Sequence, residues 1–164
     1  MAVEPDVRPH RIELQPSLGS RYEEGVADES GIKPGMLLER KVTNWPNGLK
    51  KHSTPNQRDQ VMIALEDALQ GKTINDAFEN DPAGDGSVPG DVVGYLIPAR
   101  GSVVMLLLDS DEVAYDTDML VSAGDGTVKV ATGTDVTNQD CVAEALEDLD
   151  LTSKAPAHIK ARIL

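Results

Sequence analysis

The sequence has little of what reactive chemistry usually requires. Its 164 residues include one cysteine, three histidines, one tryptophan and one phenylalanine. The single cysteine, Cys141, can form no internal disulfide and offers no cysteine-based zinc pattern. Set between Asp140 and Val142-Ala143-Glu144-Ala145, it reads as a small apolar side chain on a half-buried strand. His10, His52 and His158 lie far apart and share no ligand spacing. No G-x-S-x-G, P-loop or G-x-G-x-x-G run occurs. Asp81, Asp85 and Asp91 fall in a glycine-rich loop but lack the D-x-D-x-D-G frame and distal Glu of a calcium loop. The expectation is a protein that is not an enzyme and holds no cofactor and no metal. No apolar run approaches the roughly 20 residues of a membrane-spanning helix. Met1 to Gly19 lacks the apolar stretch of a secretory signal.

Negative charge is abundant. Twenty-eight acidic residues against fifteen basic ones give a formal charge of -13. Such a surface stays dispersed, and its self-repulsion is tolerable where salt screens it, so the composition reads as halophile-type. It also argues against direct nucleic-acid binding, which needs Lys and Arg to neutralise phosphates. One basic region stands out, formed by Arg40, Lys41, Lys50, Lys51 and Arg58. It is expected to meet an acidic partner surface.

Proline and glycine set the organisation. Pro5, Pro9, Pro16, Gly19, Gly25 and Gly31 recur too often for a helix, so residues 1–31 are expected to form an extended arm. Within it Arg11-Ile12-Glu13-Leu14 alternates like a short strand seeking a partner edge. Residues 32–164 are expected to form one all-β domain, a small barrel or sandwich with one short helix. Met36 to Val42 reads as a strand, Asn47-Gly48 as a hairpin turn and Leu49 to His52 as the return. Val61 to Leu65 reads as a buried strand, and Thr73 to Phe78 as one helical turn capped by Thr73.

The richest stretch runs from 89 to 130. Two apolar runs, Val92 to Ile97 and Val103 to Leu108, are split by Pro98-Ala99-Arg100-Gly101. Gly124-Asp125-Gly126 closes a hairpin between residues 119–122 and 127–131. Burying residues 103–108 contributes on the order of 10 kcal/mol before ordering entropy is subtracted. That run is apolar on both faces, so one face is expected to fill a barrel and the other to meet a neighbouring copy. Val142 to Leu146 is a further strand. In the terminal strand Ile159, Ala161 and Ile163 share one face, and Lys160 and Arg162 the other. Ala64-Leu65-Glu66-Asp67 recurs as Ala145-Leu146-Glu147-Asp148, as if two equivalent strands left one barrel rim.

An ordered set of segments carries a resemblance. It comprises Pro34-Gly35-Met36-Leu37-Leu38-Glu39, a histidine at 52, and the stretch from Ala64 to Phe78. Pro98-Ala99-Arg100-Gly101, Ser122-Ala123-Gly124-Asp125-Gly126-Thr127, Ala145-Leu146-Glu147 and Ile159 to Leu164 follow. From about Pro34 to Leu164 the chain resembles small head proteins of tailed viruses, of the capsid decoration or cement type. The long acidic arm and the loop near 80–91 depart from that pattern. The resemblance implies a β-rich, non-enzymatic protein on the outside of an icosahedral head built from the major capsid protein. With the acidic surface, it implies a virus of a halophilic archaeon.

The mechanism expected from this is structural. Many copies would bind the outer capsid surface and stiffen it, self-associating as a homotrimer, with no nucleic-acid or membrane contact. Arg11, Ile12 and Leu14 of the arm, Arg40 and Lys41 of the basic region, and Trp45 at the hairpin tip are the expected contacts. Two rivals are a host-attachment module that binds glycans and a head-assembly factor absent from the mature particle. The scarcity of aromatic side chains disfavours the first.

Overall fold

Turn residues cut the chain into short strands. A computed structural model describes residues 11–41, 44–81, 89–133 and 140–164. Among these, the longest strands have seven residues, and the helical turn that lies wholly within them is a 3-10 turn at Ala68–Gln70. The all-β expectation holds.

Five strands close into a barrel: β7 (Val103–Leu108), β10 (Val128–Val130), β9 (Met119–Ser122), β11 (Ala143–Ala145) and β13 (Ala157–Ile163). β13 closes the ring by pairing antiparallel along β7, with Ile159 opposite Leu106 and Ala161 opposite Val104. The other edge of β7 is shared. β10 pairs with it in parallel at Leu108, and β1 (Glu13–Gln15) pairs antiparallel at Val103 and Val104. β9 and β10 form the expected hairpin, and β11 pairs with β13 through Ala143–Ile163 and Ala145–Ala161. A small ladder of β8 (Val113–Ala114) and β12 (Leu149–Asp150) is added.

The second sheet has the order β3 (Leu38–Arg40), β4 (Gly48–Lys51), β2 (Arg21–Ala27), β6 (Val92–Ile97) and β5 (Ile63–Ala64). A bridge between Leu37 and Ile63 links its two outer strands, so this sheet also curls back on itself. Its inner face holds its own core, with Leu38, Leu49, Phe78, Val93 and Tyr95. The barrel core continues into the seam between the sheets, where Leu37, Ile63 and Leu96 join Val104, Leu106, Leu108 and Ile159.

This arrangement corrects several expectations. The two apolar runs split by residues 98–101 do not fold back on each other. β6 and β7 lie in different sheets, and residues 98–101 carry the chain across, with Gly101 at φ +86° and its N–H bonded to the Ile163 carbonyl at 2.8 Å. A run apolar on both faces needs cover on both, and the chain itself supplies it. Val104, Leu106 and Leu108 are fully buried, and so nearly are Met105 and Leu107. The Met105 N–H donates to the Ile12 carbonyl at 2.6 Å, and that of Leu107 to the Gly35 carbonyl at 3.0 Å. No neighbouring copy is needed to bury β7.

The stretch read as an arm is woven into both layers from Arg11 onward. β1 lies on the barrel, and β2 sits between β4 and β6 inside the second sheet. Pro16 and Gly19 lie in the turn between β1 and β2 and Gly31 in the turn after β2, whereas Gly25 sits inside β2. Residues 1–10 lie outside the described residues. The helical turn expected at 73–78 is instead a hydrogen-bonded turn, in which the Asp76 carboxylate accepts from the Thr73 N–H at 2.9 Å. The 3-10 turn forms five residues earlier. There Asp67 caps Leu69 and Gln70, and Gly71 terminates in the left-handed region. The repeated Ala-Leu-Glu-Asp segments end β5 and β11, in different sheets, so they do not share one rim. They share a local task, because Glu66 accepts the Ile12 N–H and Glu147 the Lys160 N–H.

Candidate interaction surface and polar cluster

The expected contact residues scatter. Ile12 is fully buried, its N–H held by Glu66 at 3.2 Å and its carbonyl by Met105. Leu14 packs partly buried against the same core, while Arg11 is exposed. Trp45 is half-buried in the turn before β4, where its carbonyl accepts the Gly48 N–H at 3.0 Å. The residues expected at one interface therefore lie on two different layers and at different depths.

The basic region is largely neutralised within the chain. Arg40 bonds Glu23 at 3.1 Å, Lys50 bonds Glu39 at 2.6 Å, and Lys51 bonds Glu29 at 3.2 Å. Lys41 lies 3.6 Å from the buried Asp28 carboxylate and donates to the Asp28 carbonyl at 2.8 Å. Arg58 donates to the carbonyls of Cys141 and Leu164. These cations fasten loops and strands, so the expected cationic docking patch does not form as such. Cys141 is buried, and burial first and Asp140 second push its thiol up, against Arg58.

At the mouth of the second sheet Tyr95 donates to Glu23 at 2.6 Å, and Arg40 donates to the Tyr95 oxygen at 2.9 Å. The Tyr95 hydrogen bond holds the Glu23 carboxyl below the usual range, with Arg21 and Arg40 assisting against partial burial.

Exposed apolar side chains gather elsewhere. In the β2–β6 ladder Tyr22 faces Leu96, Glu24 faces Gly94 and Val26 faces Val92, all on one face. At Leu96 that face is sealed by the barrel. At Gly94 it is open, since an added Cβ would meet nothing within 4 Å. Val92 is 44% exposed and Tyr22 59%. The 3-10 turn sits beside them, tied by Gln70 Nε2 to the Val92 carbonyl at 2.8 Å, and carries a fully exposed Leu69. The sheet thus overhangs the barrel and presents a strip of exposed Tyr22, Val92 and neighbouring Leu69, with the charged Glu24 standing between Tyr22 and Val92. Sequence reasoning missed it. Ordering a leucine outward on a tight turn is a tertiary outcome, and its composition signal is one residue long.

A second cluster joins residues distant in sequence. Glu39 of β3, His52 just after β4 and Asp59 of the following loop bring one ligand atom each to within 4.8 Å of one another. His52 is buried, whereas the Asp59 side chain is half-exposed. Burial acts to raise the Glu39 carboxyl, but Lys50 and Ser53 outweigh it and hold it below the ordinary range. Short ligand spacings do not reveal this trio because the sheet, not local sequence, assembles it.

No protein-family model matches the chain, and no curated protein sequence matches it. The fold is similar to a solved structure, that of the head fiber gp8.5 N base in bacteriophage phi29. The TM-score is 0.55 at 10% sequence identity, and the match covers 88% of this chain and 94% of that one. The likeness is one of fold.

Proposed function

We propose that the chain is a structural protein of a tailed-virus head, bound to the outer surface of the capsid and stabilising it. The observation that carries this reading is the fold shared with a phage head fiber base over nearly the full length of both chains. The ordered segments from Pro34 to Leu164 support the same class. The major capsid protein is the partner in this reading, and the overhanging strip of Tyr22, Val92 and Leu69 is the contact surface. Apolar side chains left open on an acidic protein suit docking, because their burial is favourable while the surrounding charge keeps unbound copies apart. Homotrimeric association on the capsid belongs to the same proposal. Many copies acting together would stiffen a shell even at modest affinity per copy.

Purified protein mixed with purified undecorated heads should co-sediment with them, and mass spectrometry of mature virions should find it in many copies. Co-sedimentation without presence in mature virions would point to an assembly factor instead. Absence of both would reject a head protein. The charge of -13 suits a halophilic host. In that case the thermal unfolding midpoint should climb steadily from dilute buffer to molar salt, and a flat response would remove the halophilic part of the proposal.

A further inference from the structure

We propose that Glu39, His52 and Asp59 form a binding site for a divalent transition-metal cation of the zinc type. The argument starts from the histidine. His52 Nδ1 lies 2.8 Å from the Ser122 hydroxyl, which also accepts the Gly124 N–H at 3.2 Å. This contact reaches from the second sheet to the end of barrel strand β9 and fixes the imidazole. Metal-binding histidines are oriented in the same way, by a hydrogen bond at the ring nitrogen that does not ligate. The remaining nitrogen, Nε2, points at Asp59 Oδ2, 3.3 Å away. A charge-assisted N–H to carboxylate bond settles at about 2.7–2.9 Å, so 3.3 Å is slack for one. It matches the edge of a tetrahedron with metal–ligand bonds of about 2.0–2.1 Å, which is about 3.3 Å. The pair is therefore spaced for a cation bonded to both.

Glu39 supplies the third oxygen. Its oxygens are already bonded, Oε1 to Lys50 at 2.6 Å and both to Ser53, and the trio spans up to 4.8 Å, so Glu39 must shift inward to reach the cation. A bound cation takes over the Lys50 position, and the flexible lysine turns to solvent. Beside His52 and Asp59, though not Glu39, lies a cavity of about 10 Å³ lined otherwise by side chains such as Leu37, Met62 and Val142. That is room for about one water, and a three-residue zinc site leaves its fourth position to water. One imidazole with two carboxylates favours zinc over magnesium or calcium, which prefer all-oxygen shells. The cation would lock the loop after β4 to β3 and, through Ser122, to the barrel.

The test titrates the full chain with zinc chloride and with magnesium chloride by calorimetry, and follows thermal unfolding in both. Binding of one zinc per chain with a raised unfolding midpoint is expected, and no comparable effect of magnesium. Asp59 is half-exposed, so Asp59→Asn should fold normally while losing zinc affinity about tenfold or more. Glu39→Gln should weaken binding as well, and cobalt should give a tetrahedral visible spectrum in the wild-type chain alone. Acidic surface groups bind zinc weakly and without a fixed ratio. Equal zinc affinity in the wild-type and Asp59→Asn chains, or no saturable binding, would overturn the proposal.

Discussion

Gly35 lies directly beneath His158. A Cβ on Gly35 would come within 2.8 Å of the imidazole Cδ2 and 3.1 Å of the Met105 carbonyl oxygen. The His158 ring donates from Nε2 to the Pro34 carbonyl at 2.8 Å, so the ring cannot swing away without losing that bond. The backbone of Gly35 is also in the left-handed region, at φ +87°. This one contact joins the entry to β3 with β13 of the barrel. Gly35→Ala should therefore lower stability by about 2 to 4 kcal/mol, combining backbone strain with overlap. Urea unfolding monitored through Trp45 fluorescence reads the change, and a loss under about 0.5 kcal/mol would mean that the seam is loose there.

Ile12 separates an arm from a core strand. It is fully buried between Glu66 and Met105. Ile12→Ala should cost about 2 to 5 kcal/mol in the isolated protein, with no capsid present. A chain lacking residues 2–30 should fail to fold, because β2 lies between β4 and β6 and its removal splits the second sheet. Circular dichroism and the unfolding midpoint decide this. A folded deletion chain would restore residues 1–31 as an appendage.

The contrast shows what was legible in the sequence. Strand positions were readable where turn chemistry bounded an apolar run, as at Val92–Ile97, Val103–Leu108 and Gly124-Asp125-Gly126. The alternation in 157–163 gave the buried face of Ile159, Ala161 and Ile163 correctly. Partner choice was not readable. The turn at 98–101 looks the same whether it folds a strand back or passes it to another sheet, and only long-range pairing decides. The proline and glycine spacing of 1–31 likewise does not say what the segments between them pair with, and Gly25 falls inside β2 itself. The trio of Glu39, His52 and Asp59, and the strip at Val92, arise from the same non-local pairings.

Lys41 was an expected capsid contact, and its geometry gives it an internal task. Asp28 is 3% exposed, and its carboxylate has Lys41 at 3.6 Å and Asn44 donating at 2.6 Å. Lys41→Met leaves a buried carboxylate without its cation. Lys41 is partly solvent-exposed, which softens the loss, and a destabilisation of about 1 to 3 kcal/mol is expected. Replacing Asp28 with Asn in the same chain should recover part of it. If Lys41→Met leaves the urea midpoint unchanged, solvent already screens Asp28.

Two tyrosines make the fold sensitive to alkali. The hydrogen bond from Tyr22 to Glu13, then burial and the Glu13 charge, push Tyr22 from 10.0 up to about 12. Tyr95 is raised by burial first and by Glu23 next, against the pull of Arg40 and Arg21. A phenol that holds its proton more tightly when folded adds stability that is complete below the unfolded value of about 10. This stability is lost as pH rises through the folded value. The unfolding midpoint should therefore fall between about pH 10 and about pH 12. Tyr22→Phe should flatten part of that decline, and an unchanged slope would exclude the Tyr22–Glu13 bond.

The overhang offers the sharpest separation of stability from function. Leu96 and Val92 share one face of β6, yet Leu96 is sealed by the barrel and Val92 is 44% exposed. Leu69 beside it is fully exposed and packs on nothing that folding would lose. Leu69→Lys and Val92→Lys should each change stability by no more than about 0.5 kcal/mol, as surface substitutions do. Leu96→Ala should cost about 2 to 5 kcal/mol. If the strip is the capsid contact, the two lysine variants should lose head binding while melting like the wild-type chain. Leu69 offers nearly its whole side chain, so burying it contributes about 1.5 to 3 kcal/mol, and each copy should bind about tenfold or more weakly without it. Sedimentation of heads with equal amounts of each variant measures that difference. Unchanged decoration by the double Leu69→Lys, Val92→Lys chain would move the contact to another face, and Leu18 on the turn before β2 is the next exposed apolar side chain to test.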